Sequence, residues 1–247
     1  MNDQNASIIR GNNFKESKFF IVKFFMIWPA LFLTIVWIFN YIELFHSLFW
    51  SWLSFFFLPF LAISFLGIFL LTVILFAKLY LILINLIYKP REGVFKMSIT
   101  NKGYLFYSLR RTIKEFILQL YDFFPLPWSK VFALNMFNVV IPPNAGILDS
   151  YIDSDFVEFG KESILGEGAV VLSSMIFNEH LFIKKTIIGE RVTIGAYSVV
   201  APGTVIEKGT ILGMGSHTKI NQRLEKGWIY VGRPAEKLKQ IEENTKS

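Results

Sequence analysis

"IIGERVTIGAYSVVAPGTVIEKGTILGMGS", residues 187–216, decides how this chain is read, because its aliphatic residues return at every sixth position. Neither the 3.6-residue period of a helix nor the two-residue period of a strand gives that spacing. With Ile188 as a first position, the firsts are Ile188, Ile194, Val200, Ile206 and Leu212, and the fifths are Val192, Ser198, Thr204, Thr210 and Ser216. Every first is aliphatic and every fifth is small or β-branched. Glycine follows the first position at Gly189, Gly195 and Gly213 and fills the fourth at Gly203, Gly209 and Gly215. Glycines at a fixed phase mark corners that need unusual backbone angles or close approach.

Carried back over residues 141–176, the same frame gives firsts Ile141, Ile147, Asp153, Phe159, Leu165 and Val171, with glycine at Gly160, Gly166 and Gly168. Asp153 alone breaks the apolar rule. A chain that turns a corner after every short strand, always with an aliphatic residue inward, stacks into a solenoid whose core is a column of those residues. Eleven hexads predict nearly four coils over residues 139–226. Between Ile176 and Ile188 the eleven residues "FNEHLFIKKTI", 177–187, lose the phase, which predicts a loop leaving the solenoid wall.

The rest of the chain is of a different kind. Of its 247 residues 53% are apolar and 27 are Phe, greasier than a soluble domain of this size. The runs Phe24–Ile42 and Phe60–Ala77 carry no charge, and the second continues past Lys78 to Tyr88. A bilayer core needs roughly 20 such residues as a helix, so two spans are expected. The first run is too long, and lacks the small-residue site, for a cleaved signal peptide. Arg10, Lys15, Lys18 and Lys23 precede the first span, and Lys89, Arg91, Lys96, Lys102, Arg110, Arg111 and Lys114 follow the second, whereas residues 41–59 contain no Lys or Arg. The positive-inside rule then places both ends and the solenoid in the cytoplasm of an integral membrane protein, with Trp50 and Trp52 at the outer surface. Lys78 can extend its amine to the headgroups.

The net charge of +6 gathers beside the membrane, where it favours anionic lipid rather than nucleic acid. In residues 104–124, Leu105, Leu109, Ile113, Phe116, Ile117 and Leu120 recur at three- and four-residue steps. We read this stretch as a helix in the inner interface with Arg110, Arg111 and Lys114 toward headgroups, or packed on the protein's own spans or a partner subunit. "PLPW", residues 125–128, ends it. There is no cysteine, which excludes disulfides and thiolate chemistry. The organisation read from the chain is a tail over 1–18, two spans over 19–88, an interfacial helix and linker over 89–138, the coil over 139–226 and a cap over 227–247.

The six-residue frame resembles the hexapeptide-repeat left-handed parallel β-helix acyltransferases. That resemblance implies three six-residue faces per triangular coil, left-handed winding, a homotrimer with sites at the seams, and a coenzyme A thioester as co-substrate. "GWIYVGRPAEKLKQI", residues 227–241, is similar to the G-x-P-A tail that closes such enzymes, after which a helix caps the coil. Gly232, Arg233, Pro234 and Ala235 match the tail. The resemblance puts Gly195, Gly213, Lys219, Arg233 and Pro234 beside the coenzyme, with Lys219 and Arg233 as cations for its phosphates. A histidine beside the wall loop is the base in these enzymes. Here that is His180, the other histidines being His46 and His217. An imidazole titrates near neutral pH and so can take a proton from an attacking amine or hydroxyl. Glu179 or Asn178 would orient it, and a corner amide such as Gly195 would stabilise the oxyanion. The other reading of His180 is a hydrogen bond at a subunit contact.

"KPREGVF" (89–95), "ILDSYIDSDFVEFGKESILGEGAVV" (147–171) and "NEHLF" (178–182) also look like the membrane-embedded β-helix unit at the C-terminal end of epsilon-poly-lysine synthases, over roughly residues 60–217. This chain differs in having one β-helix and no adenylation module, which counts against peptide-bond synthesis between amino acids. Gamma-class carbonic anhydrases share the coil but bind zinc through three histidines. The coil and its loop offer His180 and His217 with Gln222 a poor ligand, so no metal is expected. Asp149, Asp153 and Asp155 read as surface turns, with Asp153 the exception to follow. The expectation is a membrane-anchored acyltransferase acting on an amine or hydroxyl of a lipid-linked or amphipathic small-molecule acceptor. The rival is a non-catalytic trimeric scaffold that holds a partner enzyme.

Overall fold

The computed structural model describes residues 20–48, 56–124, 126, 128–137, 139–153 and 155–241. Arg10, Lys15, Lys18, Trp50, Trp52, Pro125, Pro127 and the side chain of His46 lie outside the described residues. The described residues form two compact units, one within 20–89 and 106–133, the other within 90–105 and 134–241.

The first unit is helical. α1 spans Phe20–Leu48 and α2 spans Leu58–Ile87. Phe20–Glu43 and Leu58–Ile87 are long and apolar enough to cross a membrane. Leu70, Val73, Ile74, Ala77 and Leu81 form one buried stripe on α2 at helical spacing, and Met26 and Ala30 of α1 are fully buried. Trp37 meets Phe65 edge to face at 5.3 Å, and the Tyr80 hydroxyl lies 3.5 Å from the Phe25 carbonyl, so the pair runs antiparallel. Phe25 is the residue whose carbonyl Pro29 leaves without an intrahelical donor, which is why a hydroxyl from the other helix is placed there.

α3, Lys102–Asp122, starts with Asn101, whose side-chain oxygen accepts from the amides of Gly103 and Tyr104. Its buried stripe is Tyr107, Arg110, Ile113, Lys114, Ile117 and Tyr121. The expectation that Arg110 and Lys114 face headgroups is therefore corrected: they are 2% and 4% exposed. The Arg110 guanidinium donates to the Tyr88 carbonyl, the residue that caps α2, at 3.1 Å. Arg111 stays at the surface, paired with Glu115 at 2.6 Å. Tyr121 donates to the Leu70 carbonyl, and burial pushes its hydroxyl up to about 12. α4, Ser129–Met136, follows.

The second unit is built from the sixes. Ile188 lies beside Ile206, Ile194 beside Leu212, and Val205 beside Arg223, each pair eighteen residues apart and parallel. Three strands of six residues thus make one turn. Three parallel ladders form three faces. The first runs through Gly146–Ile147, Ile164–Leu165, Thr193–Ile194, Ile211–Leu212 and Trp228–Val231. The second contains Tyr151–Ile152, Val170–Val171 and Val199–Val200, extended by a bridge to His217. The third contains Val157–Phe159, Thr186–Ile188, Val205–Ile206 and Arg223–Leu224. Ile188, Ile194, Val200, Ile206, Leu212 and Leu224 are all at most 2% exposed, the inward column that the periodicity requires.

The corners explain the glycines. A Cβ on Gly166 would lie 2.5 Å from the Ala196 amide, and one on Gly195 2.5 Å from that of Met214, so these corners stack backbone on backbone. Ion pairs tie consecutive coils at the outer edge of the third face. Lys208 meets Glu190 at 2.7 Å and Arg223 meets Glu207 at 2.6 Å. Hydrogen bonds from Lys208 and Arg223 hold the Glu190 and Glu207 carboxyls below the usual carboxylate range.

Two expectations change here. The inward residue beside Val171 is Ile152, not Asp153, because the first two coils are offset by nineteen residues on the second face. The step from Ile147 is one residue short and the step to Phe159 one residue long, so the surrounding frame is kept. The cap is a strand rather than a helix: Glu236–Gln240 pairs antiparallel with Trp228–Val231. Lys237 holds it there, 4.7 Å over the Trp228 ring and 2.6 Å from Glu225, whose hydrogen bond raises the Lys237 pKa.

Candidate functional site

Across the phase break, Thr193 lies beside Ile164, twenty-nine residues away instead of eighteen, so eleven extra residues leave the wall between the second and third faces. They do not form an irregular loop. Ser174–Phe177 and His180–Ile183 form an antiparallel hairpin. Asn178 and Glu179 make its two-residue turn with φ of 42° and 59°, the left-handed pair that a tight hairpin of right-twisted strands needs. Gly93–Lys96 adds a third strand on the far side of His180–Ile183. The central strand is thus the one that starts with His180.

One side of this sheet faces the unit's interior. Leu181 and Ile183 are at most 2% exposed, and the Phe95 ring lies where a Cβ on Gly103 would be. The other side carries Val94, Phe182 and Met175 in one cross-strand row and Lys96, His180 and Phe177 in the next. His180 is exposed, and its Nδ1 lies 2.7 Å from the Asn178 carbonyl oxygen. A carbonyl only accepts, so Nδ1 carries a proton, and in the neutral ring the lone pair is then on Nε2. The orienting group is the main chain of Asn178. The main-chain carbonyl of Glu179 accepts from the Met97 amide and closes the tip.

The hairpin is rooted on a buried carboxylate. Asp153, 4% exposed, accepts at Oδ2 from the Ser173 amide at 3.2 Å, the Ser173 hydroxyl at 3.1 Å and the Ser174 hydroxyl at 2.6 Å. The Ser173 hydroxyl also reaches the Asp155 carbonyl. Asp153 is therefore neither an inward position nor a surface turn. It joins the first corner of this edge to the start of the hairpin. Lys184 N to Ser173 O and the Thr186 hydroxyl to Leu172 O complete the root.

The remaining expected site residues separate by edge. Lys219 shares the hairpin's edge two coils on, with its amide bonded to Gln222 Oε1. Gly195, Gly213 and Arg233 lie on the other edge of the second face. The amides of Gly195 and Gly213 donate to Leu212 O and Tyr230 O in the next coil. The Gly195 amide is thus engaged in stacking, which removes it as an oxyanion donor. Arg233 Nε donates to Gly215 O, beyond which Pro234 is exposed and the Ala235 amide reaches His217 O. Lys96, which the sequence offers only as a charge flanking the second span, and Phe177 flank His180, a juxtaposition the sequence hides because a four-residue strand, "GVFK", gives too short a pattern to identify.

A family model described as bacterial transferase hexapeptide (six repeats) matches residues 185–219. Those residues carry the hexapeptide repeat. No curated protein matches the chain. Among solved structures, a maltose O-acetyltransferase from Clostridium difficile 630 is 15% identical with a TM-score of 0.46 over 54% of this chain and 87% of its own. A hexapeptide-repeat containing acetyltransferase from Vibrio cholerae is 11% identical with a TM-score of 0.46 over 54% and 91%. A variant of AntD, an N-acyltransferase from Bacillus cereus in complex with dTDP and coenzyme A, is 23% identical with a TM-score of 0.28 over 43% and 82%.

Proposed function

We propose that this protein is a membrane-anchored acyltransferase that moves an acyl group from a coenzyme A thioester to an amine or hydroxyl of an amphipathic acceptor, with His180 as general base. The observation that carries the reading is the imidazole at the tip of a hairpin that grows from a hexapeptide coil, with Nδ1 tied to the Asn178 carbonyl and Nε2 left to accept a proton. In the reaction, Nε2 takes the proton of the acceptor N–H or O–H as that atom attacks the thioester carbonyl. The carbon–sulfur bond then breaks, and the departing thiolate takes the proton back from the imidazolium.

Lys219 and Arg233 are exposed cations fit for the coenzyme's phosphates, and Gly195, Gly213 and Pro234 leave the neighbouring corner free of long side chains. Because Arg233 and the hairpin occupy opposite edges of the second face, we place the site between copies in a left-handed homotrimer. The coil edge from which the hairpin of one copy grows meets the glycine edge of the next, and the outer face of the hairpin sheet stays clear of the seam. α1 and α2 are the membrane anchor, with the coil on the cytoplasmic side. The purified protein with acyl-CoA and a membrane extract should release free thiol. His180→Gln should lower that rate by about 10²- to 10⁴-fold, the usual contribution of general acid–base catalysis. Undiminished turnover in the variant would reassign the base. A second reading, a non-catalytic scaffold, draws on the exposed bulk of Phe177 and Tyr197 at the two edges. It would be chosen if wild-type protein assembled as a trimer but released no thiol from any acyl-CoA.

A further inference from the structure

The exposed side of the hairpin sheet combines three properties that the catalytic reading leaves unused. It is apolar at Val94 and Phe177, which are 62% and 66% exposed, with Phe182 and Met175 half-buried between them. It is basic at Lys96, which is paired with His180 across the ladder. Directly opposed residues of an antiparallel pair hold their Cβ atoms about 5 Å apart, so the Lys96 and Phe177 side chains flank the imidazole on either side. None of the six side chains on this side is acidic.

The strand that brings Lys96 here is the first element after α2. Only residues 88–92 separate Ile87 from Gly93, and a chain of that length reaches at most about 20 Å. From residue 88 to residue 102 the chain carries Lys89, Arg91, Lys96 and Lys102 against Glu92 alone. Exposed aromatic and aliphatic side chains next to lysine and arginine, on a short tether from an apolar helix of membrane-spanning length, match the chemistry of a bilayer surface. Apolar groups enter the acyl boundary while the ammonium meets phosphate.

We propose that this sheet face, Val94, Lys96, Met175, Phe177, His180 and Phe182, lies on the anionic surface of the lipid bilayer and presents His180 at headgroup depth, so that the acceptor is an amine or hydroxyl carried by a phosphate-bearing lipid. The inference rests on the membrane anchor of the proposed function and names the acceptor class for the same site. Lys96 binds the phosphate, and Phe177 and Val94 take the first methylenes of the tails.

The absence of cysteine makes the test direct, since a single introduced thiol is the only labelling site. Phe177→Cys, Val94→Cys and, as a control on the last coil, Lys226→Cys are spin-labelled in the full chain and reconstituted in phosphatidylcholine–phosphatidylglycerol vesicles. Collision with oxygen, which concentrates in lipid, is compared with collision with a water-soluble nickel chelate. The labels at positions 94 and 177 should show an oxygen-to-nickel ratio several-fold above that at 226. The ratio should fall when Lys96→Glu is added or when phosphatidylglycerol is left out. Protein that floats with vesicles after an alkaline wash, yet carries labels at 94 and 177 as wet as the one at 226, overturns the inference while the anchor stands. Protein washed off the vesicles removes the anchor itself and the inference with it. Labels shielded from both probes, with dipolar broadening between copies, overturn it in favour of a second copy of the chain as the occupant. Lipid contact with no thiol release leaves the bilayer placement of this face standing but removes the catalytic reading, and the acceptor assignment with it.

Discussion

Asp153 offers the sharpest test of how the hairpin is held. Its Oδ2 accepts from the Ser173 amide and from the hydroxyls of Ser173 and Ser174. The Ser173 hydroxyl has one proton and also reaches the Asp155 carbonyl, so it keeps a partner if the carboxylate is removed. Asp153→Ala therefore removes a charged acceptor from two buried donors, the Ser173 amide and the Ser174 hydroxyl. A stranded buried donor costs about 1–3 kcal/mol, and since a hydroxyl can rotate toward another acceptor the sum comes to roughly 2–4 kcal/mol. At about 1.4 kcal/mol per tenfold, the hairpin should open roughly 30- to 1,000-fold more often. Hydrogen exchange of the full-length protein reads that opening directly at the amides of residues 174–183. The amides of Val199–Val200 and Ile211–Leu212, in the coil above, should keep their protection. Asp153→Asn retains one acceptor oxygen and should recover most of the loss. Hairpin exchange unchanged in Asp153→Ala would refute the root, and with it the one-residue slip that places this side chain beside Ser173.

Two further outcomes follow from the coil. Gly166→Ala drives a Cβ to within 2.5 Å of the Ala196 backbone and should prevent folding of the coil, whereas Gly209→Ala meets open space and has only its φ of +68° to satisfy, costing about 1 kcal/mol and a few degrees of Tm; comparable Tm values for the two variants would disprove the stacked corners. The Glu207 carboxyl is held down by its hydrogen bonds from Arg223 and the Lys226 amide, so the stability it confers is complete above the usual carboxylate range and is lost as pH falls through its folded pKa. Glu207→Gln should therefore flatten the decline of Tm between neutral and mildly acid pH, and an unaltered slope would show that this exposed pair contributes nothing measurable.

The coil was legible because its corners repeat one local rule, an aliphatic residue inward and glycine where backbones touch. The eleven-residue break was legible for the same reason, as a departure from that rule, and its length equals the jump in register between coils. What filled the break was not. Asn-Glu is a poor advertisement for a turn with two positive φ angles, where Asn-Gly is the usual signal, so the alternation of Met175, Ile176 and Phe177 against Leu181, Phe182 and Ile183 passed unseen. A six-residue frame puts Asp153 inward where the chain puts Ile152, because a short step and a long step cancel and leave the frame correct on both sides. "EKLKQ" has the propensities of a helix, yet pairing with Trp228–Val231 and the contact of Lys237 with the Trp228 ring override them. On α3 the period was right and the phase was wrong. Three tyrosines, at 104, 107 and 121, take the buried side and carry Arg110 and Lys114 in with them.

The third strand changes what kind of object the candidate base stands on. A lone two-stranded hairpin is marginal in water, and an imidazole at its tip would spend its binding partner's energy on being ordered. Here His180 begins the central strand of three, its underside closed by Leu181 and Ile183 and its tip closed by the Met97 amide on the Glu179 carbonyl. Order is supplied before any substrate arrives, so the ring is free to turn only about its own side-chain bonds, and the Nδ1 contact with Asn178 restrains those. A site that takes a proton from an acceptor gains its geometry from that arrangement, because pre-organised reactants save the entropy of alignment. The strand that completes the platform, Gly93–Lys96, lies more than eighty residues in sequence before the strand that bears His180, so the platform is fixed by a long-range pairing rather than by the hairpin alone.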